Sequence, residues 1–281
     1  MSERWMLALD TSTATLTCAL LRLDGMRADG EAGHLVGDAR KDPGRTARET
    51  AVVVASRQWE SERNHSVRTV PEIQALLRDH GLRPETLAAI AVGRGPGSYT
   101  GVRIAVTVAK TLAWAWDKPL IGVSSLEALA FGAMDDPAWA PADGTVWWVP
   151  VLNARRGRAY TARFVTAERG AVWLRAEDDG IRPLAAWASE VLEAARESGV
   201  ATVRFVGETG PFAEEWSALA GNAAVPVDVR TRAMNAAAVG KLAAERCLRG
   251  EFDDVHTFVP NYTQPAEAEA KLLARQAECS P

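Results

Sequence analysis

The stretch WMLALDTSTATLTCALLRL at residues 5–23 decides the fold. An apolar run ends in the polar turn DTST at residues 10–13, and a second apolar run returns from that turn. Apolar runs of this length between turn residues are typical of buried strands. Residues 5–10 and 16–23 are therefore predicted to form a hairpin, and a third strand is expected at residues 50–59.

A similar pattern recurs in the second half of the chain. An apolar run at residues 146–152 leads into the turn NARRG at residues 153–157 and a returning strand at residues 158–165. Two such hairpins, each opening a series of strands and helices, predict a duplicated α/β architecture; chance similarity of two hairpins is the alternative. The predicted lobes are residues 1–118 and 119–281, with the last helices packing back on the first lobe.

A glycine-rich loop, GPGSYTG, stands between a predicted strand at residues 87–92 and a predicted helix at residues 102–116. Its glycines permit positive φ and close approach of another backbone. Thr100 is expected to cap the helix, whose free N–H groups would then suit an anion. The alternative is a tight connection without a ligand, and no lysine of a phosphate-binding loop is present. The loop consists of Gly95, Pro96, Gly97, Ser98, Tyr99, Thr100 and Gly101.

The remaining elements follow from the same periodicities. Helices are predicted at residues 66–80, 124–131, 183–198 and 234–248, strands at residues 119–123 and 203–206, and a linker at residues 134–144. The polar residues 26–49 carry no period and are interpreted as a flexible surface insertion.

The bulk properties exclude several classes of protein. Lys and Arg number 32 against 36 Asp and Glu, a net charge of −4, which argues against a chain that binds RNA alone. The three cysteines, Cys18, Cys247 and Cys279, form no pair at metal-binding spacing. No apolar run is long enough for a signal peptide or a membrane span. A cytoplasmic protein without membrane contact is expected.

The two hairpin turns lack the composition of a phosphate site. In actin-like ATPases two glycine-bearing hairpins hold the nucleotide phosphates, whereas here the first turn has no glycine and the second has Ala154, Arg155 and Arg156 before its glycine. Intact ATP hydrolysis is therefore not expected, and neither a catalytic residue nor a cofactor is assigned. The weak candidates that remain for cofactor binding, with Asp10 for a cation, are Asp10, Thr11 and Ser12.

No other catalytic framework is visible. The histidines His34, His65, His80 and His256 form neither HxxxH nor HExxH, so no metal site is predicted. The serine of the glycine-rich loop has the wrong offset for a nucleophile elbow.

A stripe of small residues follows the glycine-rich loop. Ala105, Ala109 and Ala113 recur every four residues beside Val102 and Val106, which would let another helix approach closely. Packing inside the same domain is the alternative to contact with another subunit. The predicted partner surface consists of Val67, Val70, Gln74, Leu77, Val102, Ala105, Val106, Ala109 and Ala113.

Several of these motifs together resemble the TsaB (YeaZ) family over nearly the whole chain apart from residues 26–49. The glycine-rich string in its strand–helix context is highly specific. The motifs are LALDTS at 7–12, RNHS at 63–66, GPGSYTGVRI at 95–104, AKTLA at 109–113, GVSSL at 122–126 and ARRG at 154–157.

The resemblance implies an actin-like two-lobed fold of the sugar-kinase and heat-shock ATPase superfamily. It also implies a non-catalytic paralogue of TsaD that lacks the two metal-binding histidines, and Thr69 stands four residues after His65. Such a subunit binds TsaD through its N-terminal lobe and, with TsaE, supports formation of threonylcarbamoyladenosine next to the anticodon. Contact with tRNA would run through the complex, and a homodimer is expected when TsaD is absent.

Two features depart from the family pattern. Asn153 stands where an aspartate is usual, which leaves a hydrogen-bonding role but no charge, and residues 26–49 are longer than usual. An independent ATPase or small-molecule kinase of the same fold is the alternative function, and the glycine-poor turns count against it. A metalloprotease is a further alternative, against which the missing HxxxH counts.

Overall fold

The structure is a computed structural model of the 281-residue chain. The predicted insertion at residues 26–49 lies outside the described residues, so its character stays a prediction. The described residues are 3–24, 50–60, 65–139, 142–167, 172–220 and 224–263.

The first lobe is built on a five-stranded sheet of order β3-β2-β1-β4-β5. The predicted hairpin forms from β1 and β2, which pair antiparallel, and β4 joins β1 in parallel. The elements are β1 (Arg4–Asp10), β2 (Thr15–Leu23), β3 (Ala51–Glu60), α1 (His65–Asp79), β4 (Leu87–Gly93), α2 (Tyr99–Ala115) and β5 (Leu120–Val123).

The second lobe repeats this topology. Its sheet has the order β10-β9-β6-β7-β8, which read from the other edge matches the first sheet strand for strand. The predicted duplication is therefore confirmed. The elements are α3 (Ser125–Ala133), β6 (Val146–Asn153), β7 (Arg158–Ala167), β8 (Val172–Pro183), α4 (Leu184–Glu197), β9 (Thr202–Gly207), α5 (Ala213–Ala220), β10 (Val227–Thr231) and α6 (Ala236–Leu248).

Three elements and two boundaries differ from the prediction. The elements β8, α5 and β10 were not predicted, because β8 is an edge strand of mixed polarity and the other two span only 8 and 5 residues. Since β5 pairs with β4, the first lobe continues past residue 118. Helix α2 begins at Tyr99 with Ser98 as its cap, so the assignment of Thr100 as the cap is wrong.

Two helices fill the space between the sheets. Helix α6 packs on the strands of the first sheet, α3 packs on those of the second, and the two helices contact each other. Gly240 permits this close packing, because a Cβ atom there would lie 2.2 Å from Leu21 Cδ1. One continuous apolar core therefore joins the lobes. None of the helices in the described part of the chain is both long and apolar enough to cross a membrane.

The small-residue stripe of α2 lies inside the first lobe. The Ala109 side chain is 0% exposed and packs with α1 and the outer face of the first sheet. The prediction that this stripe contacts another subunit is wrong, because the chain's own first sheet packs against these small residues. The residues that this correction removes from the partner surface are Leu77, Val102, Ala105, Val106, Ala109 and Ala113, all buried.

We expect Ala109→Leu to lower the free energy of unfolding by about 1–3 kcal/mol, because the added carbons have no space in a filled core. Urea denaturation measures this change. Thr107→Leu, at an exposed position of the same helix, is the control and should change the free energy by less than about 0.5 kcal/mol. Equal stability of the two variants would show that the stripe is not packed against the sheet.

Candidate functional site between the lobes

A polar cleft of about 430 Å³ opens where the lobes meet. The turn after β1, the loop after β4, the turn after β6 and the residue after β9 converge there, at the carboxyl ends of the strands. Ligands of open α/β sheets bind at such edges. The lining residues are Ser12, Thr13, Ala14, Gly97, Ser98, Tyr99, Thr100, Leu152, Asn153, Ala154, Arg155, Tyr160 and Glu208.

The glycine-rich loop packs directly on the first hairpin turn. The Ser98 amide donates to Ser12 O at 2.6 Å, and Thr11 Oγ1 donates to Gly101 O at 2.6 Å. A Cβ atom would lie 2.3 Å from Ser12 O at Gly97 and 1.9 Å from Thr11 O at Gly101. The glycines of the loop are therefore required by the chain's own backbone, which favours the tight connection over an anion cradle.

Asp10 is buried behind this contact. Its Oδ1 accepts from the Ser12 amide at 2.6 Å, and its Oδ2 accepts from Ser125 Oγ at 2.6 Å. Ser125 Oγ in turn accepts from the Gly95 amide at 3.0 Å. Burial raises the pKa of Asp10, and the hydrogen bonds from Ser12 and Ser125 oppose that shift.

The interpretation of Asp10 and Thr11 as cofactor ligands is not supported. Both residues are fully buried, and their polar side-chain atoms bind other parts of the chain. Ser12 does line the cleft, although its buried Oγ has no hydrogen-bond partner among the described residues. The described residues include no group of three or more His, Cys, Asp or Glu that would hold a metal ion.

The second turn places two arginines at the rim. Arg155 and Arg156 both adopt positive φ, at 65° and 55°. This conformation costs about 1 kcal/mol or more for a residue other than glycine. Asn153 stabilises it, since its Oδ1 accepts from the Arg155 amide at 2.8 Å. The hydrogen-bonding role expected of Asn153 is thus present.

Backbone amides that would face a phosphate are used within the turns. Ser12 N binds Asp10 and Thr15 N binds Thr13 Oγ1 at 3.1 Å in the first turn. In the second turn the Asn153 amide donates to Glu208 Oε2 at 2.8 Å. Glu208 thereby places a negative charge directly at the Asn153 amide, where it would repel a phosphate that approached the amides of the turn. Glu208 and Tyr160 had no motif signal in the sequence, because only the fold brings them to the turns.

Two solved structures define the class of protein. Both are from Pseudomonas aeruginosa: one described as an uncharacterized protein with similarity to peptidase YeaZ, the other as YeaZ. The first superimposes with a TM-score of 0.63 at 25% identity over 93% of this chain and 100% of its own, and the second with 0.62 at 24% over 92% and 99%. The chain has the actin-like two-lobed α/β fold.

Sequence comparisons place the chain within a family. It is 34% identical to the tRNA threonylcarbamoyladenosine biosynthesis protein TsaB of Bacillus subtilis, over 96% of this chain and 98% of that protein. The TsaB of Escherichia coli matches at 36% over 42% of this chain and 48% of its own length. Residues 57–272 match the family described as TsaD, tRNA N6-adenosine threonylcarbamoyltransferase. The chain belongs to the TsaB (YeaZ) family, a paralogous branch of that wider group.

We expect Gly101→Ala to lower the free energy of unfolding by about 3 kcal/mol, because the new Cβ would overlap Thr11 O. Urea denaturation with tryptophan fluorescence measures the loss. Gly210→Ala is the matched control, since a Cβ atom there meets nothing within 4 Å. If both variants unfold at the same urea concentration, the loop does not depend on its contact with the first turn.

Proposed function

We propose that this chain is a non-catalytic subunit that binds a TsaD-type protein and supports formation of threonylcarbamoyladenosine next to the anticodon of tRNA. TsaE joins the larger complex, and the chemistry belongs to TsaD. As a step in tRNA modification, this function belongs to the cytoplasm. Involvement in threonylcarbamoyladenosine biosynthesis follows from the family; the partner and the division of roles are the proposal.

The observation that carries the proposal is the uncovered apolar face of α1. Val67 is 71% exposed and Val70 is 36% exposed, on a helix whose other face packs in the first lobe. Gln74 is also exposed on this helix. Val67 and Val70 are three residues apart and so lie on one side of the helix, and exposed apolar side chains grouped in this way suit a protein contact. These three residues are the part of the predicted partner surface that remains accessible.

Helix α2 lies beside α1 in the first lobe. The two helices contact each other, and Trp114 near the end of α2 is 69% exposed. A helix pair that buries one face and exposes single apolar side chains on the other suits packing against a second helix pair. The occupant is TsaD, or a second copy of this chain when TsaD is absent.

We expect Val67→Arg to abolish co-purification with TsaD from the same organism, because a desolvated guanidinium would replace an apolar contact. The chain should stay folded by circular dichroism, since the side chain is exposed. Leu174→Arg is the matched control, because Leu174 is 58% exposed on β8 of the second lobe. Normal binding by the Val67 variant would place the TsaD contact elsewhere.

The non-catalytic role rests on the closed amides of the two turns. An independent ATPase or kinase needs a phosphate cradle and a metal, and neither is assembled by the described residues around the cleft. The turns instead bind their own side chains.

We expect the purified chain alone to show no ATP hydrolysis above a buffer control. A coupled assay for released phosphate with MgATP measures this. The control is the Gly101→Ala variant purified in the same way. A contaminating ATPase would give the same turnover in both preparations, because it does not carry the substitution. Turnover that this substitution lowers would favour the ATPase alternative.

A further inference from the structure

An exposed cluster, here called the tyrosine platform, consists of Tyr99, which lines one rim of the cleft, and of Arg103 and Tyr262 beside it. Tyr99 is 50% exposed and Tyr262 is 47% exposed, with ring centroids 6.0 Å apart. The Arg103 guanidinium carbon lies 4.0 Å from the Tyr99 centroid, and Arg103 Nε donates to Tyr262 Oη at 2.9 Å. Packing holds the rings in place and leaves about half of each residue open to solvent.

The opposite rim carries the arginine turn, Arg155 and Arg156. Both side chains are exposed, and within the described residues neither forms an ion pair. Arg155 and Tyr99 line the same cleft. Glycine or asparagine would occupy these positive-φ positions at lower cost, so the two guanidinium groups are present despite the backbone strain.

We propose that the cleft rim binds a single-stranded segment of RNA. The tyrosine platform stacks an unpaired base, and the arginine turn contacts the neighbouring phosphates. Aromatic rings and arginines side by side are how single-stranded RNA is held without reading its sequence. The inference rests on the proposed function, which supplies the RNA: the tRNA substrate of the complex.

Charge distribution favours RNA over a protein as the occupant. The whole chain carries a net charge of −4, yet three exposed arginines stand at this rim: Arg103, Arg155 and Arg156. Glu208 is the one acidic residue among those that line the cleft. Such a local excess of positive charge suits a polyanion, whereas the apolar face of α1 suits a protein. The acidic total explains why the site is expected to act within the complex, where TsaD adds its own contacts, and only weakly in the isolated chain.

The test uses the complex of this chain with TsaD and measures tRNA affinity by fluorescence anisotropy at several salt concentrations. Tyr262→Ala should weaken binding about tenfold, as expected for one lost base stack. Arg155→Asn with Arg156→Asn should weaken binding at low salt and reduce the slope of log affinity against log salt by about 1.4, at about 0.7 for each lost phosphate contact.

Stability separates binding from a structural role at the arginine turn. Asparagine tolerates positive φ, so the double variant should melt at the same temperature as the original chain or higher while binding RNA more weakly. A structural role would lower both. The controls are Phe252→Ala, another exposed aromatic residue, and Arg196→Asn with Arg249→Asn, which removes the same charge elsewhere; neither should change tRNA affinity.

Each remaining outcome decides the inference. Unchanged tRNA affinity in both test variants overturns it, and so does loss of TsaD binding in those variants, which would make the rim a protein contact. If the original chain does not bind TsaD, the proposed function fails. A labelled single-stranded RNA is then titrated onto the isolated chain and onto the isolated test variants. Weaker RNA binding by the variants supports the binding site at the rim, and equal binding overturns it. Displacement of that RNA by AMP at equal concentration shows a free-nucleotide site and overturns the RNA assignment.

Discussion

The buried carboxylate of Asp10 is the interaction on which the first lobe depends. It ties the end of β1 to the start of α3 through Ser125, and Ser125 receives the amide of the glycine-rich loop. Gly93 leaves the space for it, since a Cβ atom there would lie 1.7 Å from Asp10 Oδ2. A charge in the interior requires such partners. The carboxylate thereby sets where the loop, the first turn and the cleft lie.

The two lobes share one strand order, but the backbone amides of their two turns form hydrogen bonds within the chain. Both sheets have the same strand order, and the two turns still meet at the cleft. The amides of those turns, however, bind Asp10, Asn153 and Glu208 side chains instead of facing the opening. A nucleotide phosphate could bind these amides only after their present hydrogen bonds had been broken. The frame therefore suits the proposed role of a partner subunit, with the face of α1 and the rim of the cleft as its proposed binding surfaces.

Much of the fold was readable because the strongest signals are local. The hairpin of β1 and β2, the glycine-rich loop and the second turn at Asn153 all stand where the sequence predicted them. The edge strand β8 escaped prediction because its charged residues, Arg175, Glu177, Asp178 and Asp179, interrupt the apolar alternation of a strand, and α5 and β10 are too short to show a period. Thr100 and Ser98 are both of residue types that cap helices. Only the packing of Gly101 on Thr11 decides where the helix begins.

The sequence by itself determined the family, the duplicated architecture and the loss of the glycine-bearing phosphate turns, because each depends on residue types at fixed spacing. Which helix face remains free was decided only by tertiary structure. The Ala109 stripe and the Val67 face both suit a neighbouring helix, and the spacing does not say whose. The sheet of the first lobe covers Ala109 and leaves Val67 exposed. Burial depends on contacts between residues distant in sequence, which a local pattern does not contain.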